Sequence, residues 1–450
     1  MTDPSLKLTE IVGTVWKNIM EWKTSAPCDR LGSVFLVAIL CLVQLPAGTA
    51  IAADLVIINA RLFSGTGVDV IEGASIVMAG ERIESVSQGT VDTAGAEVID
   101  AGGRTVLPGL IDAHVHLFFD LQGDVYFPTS DPEARSFIET RLRGDLEAYL
   151  EQGFTSVLSA IDFWPQIVEV RKRVLSGEFK GPRLFIGGGV FVAPGGHYVC
   201  RGLEEEDRRR WCDEHISVTV ENPAQVRDGV GRYAASGVDV IVYDGRTNSP
   251  TLPVEVVAAL VDEAHRQQLP VLVHNSDAAG LGGLTESGID GFIHPPAGTD
   301  EDGDFWLESL GSQRIPLGIT IGETEEAIRA NKLSRDEIAT YMAVRQNVLT
   351  LLEAGAVPVF ASDIPGLSPK ETLPIVLRSL SDLGLSNAEV LHAGTRDPAR
   401  LIIRRQDLGT VEPGNLADII IVDGNPLQDL GALRNVEIVI KDGKVVVDKR

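Results

Sequence analysis

The feature that most restricts the fold is an alternation. Short runs rich in β-branched and apolar residues occur at Thr155–Ser159, Arg183–Ile186, Asp239–Tyr243, Val271–His274, Gly291–His294, Leu317–Ile321 and Val357–Ala361. Segments with helical spacing separate them, among them 133–152, 222–236, 253–268, 324–332, 336–354 and 370–383. Strand and helix periods taken in turn imply parallel βαβ units. With the apolar run that ends at His114 there are eight such units, and eight close most simply as an α/β fold of the (β/α)₈ TIM-barrel type. A doubly wound open sheet is the alternative, but it would not bring distant strand ends to one centre.

The flanks follow a different rule. Residues 53–105 read as short strands at Asp54–Asn59, Ala74–Met78, Arg82–Val86 and Glu97–Asp100. Residues 408–450 do the same at Ile419–Val422, Val436–Ile440 and Lys444–Val447, with Asp442-Gly443 as a two-residue hairpin turn. Neither flank buries a sheet alone. The expected organisation is therefore a small composite β-sandwich from 53–105 and 405–450 beside a barrel spanning 106–404. A chain of 450 residues is long enough for both.

Residues 1–52 read as an export leader. Val34 to Val43 is ten apolar residues, short for a bilayer span and suited to a signal segment. Lys23 and Arg30 precede it, and Ala50-Ile51-Ala52 reads as a cleavage site that leaves Ala53 first. Met20 gives a more ordinary start than Met1. The chain is then expected outside the cytoplasm, periplasmic or extracellular; an uncleaved leader acting as a membrane anchor is the alternative. Export leaves Cys200 and Cys212 as the remaining cysteines. In an oxidising compartment they can close a disulfide; two free thiols, or a zinc clip with His215, are the other readings. The formal charge of −25 argues against nucleic acid and anionic membrane surfaces as partners. The expected partner is a small-molecule substrate, with no stable membrane span after processing and homo-oligomerisation left open.

The chemistry starts at His114 and His116. Side chains at i and i+2 of a strand share a face, so both imidazoles point one way at the end of an apolar strand, a good grip for a cation such as zinc. His274, His294 and Asp363 fall at the ends of later strands, where barrel active sites lie. His197 sits in a glycine-rich loop at the expected mouth and is a candidate substrate contact. Tyr243 is expected to pack against a helix. His265 and His392 are expected at the surface or in a second layer. Glu204–Asp207 with Arg208–Arg210 reads as a solvated helix face.

Pro108-Gly109-Leu110-Ile111-Asp112-Ala113-His114-Val115-His116 resembles the amidohydrolase superfamily. So do Val271-Leu272-Val273-His274, Ile289–His294, Ala361-Ser362-Asp363 and the tail Gly409–Asp418. Arg183 to His197, with Gly187-Gly188-Gly189, is similar to the imidazolonepropionase-like and prolidase-like branch. The resemblance implies that His114, His116 and Asp363 hold a first divalent metal and His274 and His294 a second. It further implies that Asp363 is the general base toward metal-activated water. One position departs. The two-metal members carry a bridging lysine carbamate in a pattern like Asp-x-Ile-Lys, and here Asp239-Val240-Ile241-Val242 puts a valine there. Three readings stay open: one metal, with His274 or His294 shared between ligation and proton transfer; Asp244 supplying a carboxylate one layer higher or touching substrate; or a fold kept without activity.

The reading that follows is a metal-dependent hydrolase of an amide, dipeptide or cyclic amide C–N bond, with one zinc favoured over two. A mononuclear deaminase and a non-catalytic binding protein on the same fold are the alternatives. Exported protein should begin near Ala53; N-terminal sequencing that finds residues 20–52 intact counts against cleavage.

Overall fold

The computed structural model describes residues 53–118, 127–195, 200, 203–245, 250–277, 280–298, 303–364 and 367–450. The expected leader, with Met20, Cys28 and Cys41, and the loop residue His197 lie outside the described residues. Ala52–Arg450 forms one compact unit.

The N-terminal flank supplies β1 (Leu55–Phe63), β2 (Val70–Ala79), β3 (Arg82–Gln88), β4 (Glu97–Asp100) and β5 (Thr105–Pro108). The middle supplies β6 (Leu110–Val115), β7 (Phe154–Ser159), β8 (Arg183–Ile186), β9 (Val190–Val192), β10 (Ser217–Thr219), β11 (Ile241–Gly245), β12 (Val271–Ser276), β13 (Gly291–Phe292), β14 (Pro316–Ile319) and β15 (Val357–Phe360). The C-terminal flank supplies β16 (Ile419–Val422), β17 (Val436–Lys441) and β18 (Lys444–Asp448).

The two flanks share one sheet, ordered β18-β17-β16-β5-β1-β2-β3, with β4 also paired to β1. β5 is its keystone: it runs antiparallel to β16, Leu107 opposite Ile420, and parallel to β1. Alternation then turns Ile57, Ile76, Met78, Ile419, Ile421 and Ile438 into one buried core. Because β5 extends to Pro108, the change from sheet to barrel comes at Gly109, slightly later than the expected 106. The hairpin at Asp442-Gly443 has φ of 51° and 70°, the double left-handed geometry of a tight two-residue turn.

The barrel strands are parallel throughout. β6, β7 and β8 pair in sequence, and β9, β11, β12, β13, β14 and β15 pair in sequence. Both seams are closed by backbone hydrogen bonds: Asp239 donates to Ile186 at 2.8 Å, and Asp363 donates to His114 at 3.0 Å. β13 is shorter than the apolar run suggested, so His294 stands two residues beyond its end. The third barrel strand is broken into β8 and β9 by Gly187-Gly188-Gly189. A Cβ on Gly187 would lie 2.2 Å from the Ala160 carbonyl oxygen, and one on Gly189 2.3 Å from that of Ile216. The glycines let neighbouring backbone pack against the break.

β10 is not among the expected strands. It ends an insertion containing the helix Glu206–Ile216 and pairs with β9. Cys200 and Cys212 are disulfide-bonded, with Cα atoms 5.5 Å apart. The zinc clip is excluded, since the two sulfurs hold each other and His215 Nδ1 turns back to the Trp211 carbonyl at 2.8 Å. Trp211 stacks edge-on to Phe163 with centroids 4.6 Å apart, which anchors the insertion to the loop after β7. Tyr243 lines a cavity with Leu252, Val254 and Val257, packed against the helix Val254–Arg266 as its strand parity required. Among the described residues no helix is long and apolar enough to cross a membrane.

Gly187→Ala should destabilise the fold by about 2 kcal/mol or more, because backbone rather than a flexible side chain meets the new methyl. A urea midpoint unchanged from that of the unmodified protein would show that the break in the third strand has room to spare.

Candidate metal centre

β6 carries Asp112, His114 and, one residue past its end, His116 on one face. That face points into the barrel. His274 comes from β12, His294 from just beyond β13 and Asp363 from just beyond β15. The five side chains converge. His114 Nε2 lies 3.2 Å from His116 Nε2, and His274 Nε2 lies 3.3 Å from His294 Nε2. Asp363 Oδ1 is 3.0 Å from His116 Nε2 and 3.7 Å from His114 Nε2, while Oδ2 is 3.1 Å from His294 Nε2. Two triads, His114-His116-His274 and His114-His294-Asp363, each place their ligand atoms within 4.8 Å of one another.

The outer nitrogens decide which way the inner ones face. His114 Nδ1 is 3.2 Å from the Ile293 carbonyl oxygen, and His116 Nδ1 is 2.7 Å from that of Ile161. A carbonyl only accepts, so each Nδ1 donates. In a neutral ring each Nε2 then turns a lone pair inward, and two such nitrogens 3.2 Å apart form an arrangement that a shared cation would stabilise. A zinc ion about 2.0–2.1 Å from each of two nitrogens in tetrahedral array separates them by roughly 3.3 Å, which matches both Nε2 pairs. The donor set, imidazoles plus a carboxylate, suits a borderline-soft divalent cation. His294 differs: its Nδ1 faces the Thr320 hydroxyl at 2.8 Å, a partner that either donates or accepts. Its tautomer is therefore not fixed by its outer contact.

Burial sets the charges. It pushes the His114 imidazole down to about 3, and His274 well below its ordinary range, so both are neutral donors at physiological pH. For His116 burial acts in the same sense, but the hydrogen bond and charge of Asp363 outweigh it and the net shift is upward. Burial alone would raise Asp363; the surrounding histidines hold it well below the usual carboxylate range instead. Its backbone sits at φ 41°, a left-handed conformation costly for a non-glycine residue. That strain is held by the Asp363 amide bond to the His114 carbonyl and by the neighbouring Ser362 amide, which donates to Asp112.

Other expected residues stand apart. Val242 is fully buried, with Cγ2 2.9 Å from where a Cβ on Gly187 would lie, so packed hydrocarbon stands where the resemblance leads one to expect a lysine. Asp244 is buried on the same strand parity but joins neither ligand triad. His265 pairs with Asp290 on the outside, and His392 is buried against the N-terminal sheet, its Nε2 3.2 Å from the Gly67 carbonyl. Three supporting residues escaped sequence reasoning. Asp112 is the one with a signal, since it sits two residues before His114 on the inward face. Thr320 carries none. Asp162 is fixed by burial among three donors, the Leu117 and Phe118 amides and the Ser159 hydroxyl, and holds the loop after His116.

Comparisons with known proteins address the family and the fold. The profile of the amidohydrolase family matches residues 105–446. Imidazolonepropionase of Geobacillus kaustophilus is 25% identical over 410 residues, covering 84% of this chain and 89% of its own. That of Shouchella clausii is 23% identical over 413 residues, covering 84% and 85%. Among solved structures, a prolidase complexed with N-methylphosphonate-L-proline superposes with a TM-score of 0.72 at 25% identity, over 88% of this chain and 99% of its own. A Xaa-Pro dipeptidase with methionine in its active site gives 0.72 at 23% identity, over 87% and 99%.

Proposed function

The chain belongs to the amidohydrolase family, and from that premise we propose that it hydrolyses a C–N bond with one divalent metal, zinc first, held by His114, His116, Asp363 and one of His274 or His294. The observation that carries this reading is the convergence of four imidazole nitrogens and one carboxylate at separations that suit a single cation. One cation is favoured over two because Val242 offers no bridge. Two divalent cations about 3.5–4 Å apart repel strongly unless an anionic group lies between them.

When bound, such a cation supplies Lewis acidity, making water easier to deprotonate and a carbonyl easier to attack. Asp363, ionised at neutral pH, takes the proton of the attacking water and passes it to the leaving nitrogen. With His274 as the fourth ligand, His294, its Nδ1 facing the Thr320 hydroxyl and its proton on Nε2, hydrogen-bonds the carbonyl oxygen as charge builds on it. The names of the relatives support substrates in which the bond lies in or beside a small ring, a cyclic amide or a proline-containing dipeptide. Action outside the cytoplasm is part of the proposal and rests on the expected leader in residues 1–52.

Elemental analysis of purified protein should give about one zinc per chain; two equivalents would overturn the single-metal reading. His114→Ala should lose the metal and, with it, hydrolysis in a screen of dipeptides, N-acyl amino acids and lactams. Asp363→Asn should retain much of the metal and lose about 10²–10⁴-fold in kcat. Thr320→Val should cost about 10–100-fold in activity with metal content unchanged; full activity in that variant would leave His294 without its proposed part.

A further inference from the structure

One buried carboxylate touches both halves of the candidate centre without belonging to it. Asp112 is wholly buried on β6. Its Oδ1 accepts two backbone hydrogen bonds, from the His114 amide at 3.1 Å and from the Ser362 amide at 3.0 Å. The first donor belongs to a proposed ligand. The second immediately precedes another, Asp363, and lies 250 residues away along the chain. The same seam carries the Asp363 amide bond to the His114 carbonyl at 3.0 Å. Strand β15 ends at Phe360, so Ser362 and Asp363 lie beyond its regular ladder. The strained φ of Asp363 is held from the barrel side by these two bonds to residues of β6.

We propose that Asp112 is a positioning residue for the metal: its single oxygen clamps the ends of the first and last barrel strands together and so fixes the distance between His114 and Asp363. This rests on the reading that His114 and Asp363 ligate one cation. What matters is an acceptor at that point, not a negative charge, because its partners, the two amides and the Ser362 side chain, are all neutral. An asparagine oxygen occupies the same point; a leucine of similar volume leaves two buried amides without an acceptor and releases the seam. Outer contacts of this kind contribute about 10–100-fold to metal affinity in other metalloproteins.

The test is zinc affinity, measured by chelator competition on the full chain without any substrate, with circular dichroism to confirm folding. Asp112→Asn should bind zinc within about threefold of the unmodified protein, and Asp112→Leu should bind it at least about tenfold more weakly. Where Asp112→Leu does not fold, Asp112→Ser, whose hydroxyl is too short to reach both amides, takes its place with the same expectation. Loss of zinc or of folding in Asp112→Asn overturns the clamp, as does unaltered zinc affinity in Asp112→Leu or Asp112→Ser. An unmodified protein that binds no zinc overturns the metal reading itself, a result distinct from either.

Discussion

A closed ring of strands has to join its last member to its first, and the centre of this protein is built on that join. The Asp363 amide reaches the His114 carbonyl, and His114 in turn extends its ring across the barrel to the Ile293 carbonyl beyond β13. Three distant parts of the chain are thereby referred to one imidazole. Its complete burial keeps it neutral and the Ile293 carbonyl selects its tautomer, so its position and its lone pair are set by the fold before any ligand arrives. Asp363, held in a left-handed conformation by the same seam, inherits its place from that arrangement.

Much of this was legible in the residues, and unevenly so. The alternation of strand and helix periods carried the barrel, because a buried parallel strand needs a nearly continuous apolar run and an amphipathic helix to cover it. The paired histidines were legible for the same geometric reason: strand parity is a local property. Asp363 and His294 were legible only through position at strand ends and family resemblance, since neither lies within a regular element. Thr320 could not be read at all. A hydroxyl becomes an outer partner of His294 only when two neighbouring strands bring it within 2.8 Å, and nothing in the local sequence encodes that distance. The insertion was legible as a polar segment with two cysteines. Its short strand β10 was not, because three residues carry too little pattern to distinguish a strand from a loop.

Val242 and the glycine tract belong to one packing problem. Val242 meets the place a Gly187 side chain would occupy, and Gly187 is pressed against the Ala160 carbonyl. Val242 is fully buried, so a larger side chain at 242 would have to displace neighbouring atoms. Val242 is therefore part of a closely packed barrel wall that also includes the glycine tract. That is a structural reason to read the centre as built around one cation.

The order of strands in the composite sheet has a consequence for how the chain reaches this state. β5 lies between β1 from the beginning of the described chain and β16 from its end, and β17 and β18 complete the sheet beyond it. While the chain is being made, β5 has an unpaired edge until β16 (Ile419–Val422) exists, and contacts of such sequence separation form slowly. The barrel grows strand by strand in the meantime, each new strand pairing with one already present. The final assembly step therefore joins oldest to newest segment, and the interval before it is when the apolar strands of the N-terminal flank are most exposed to wrong partners.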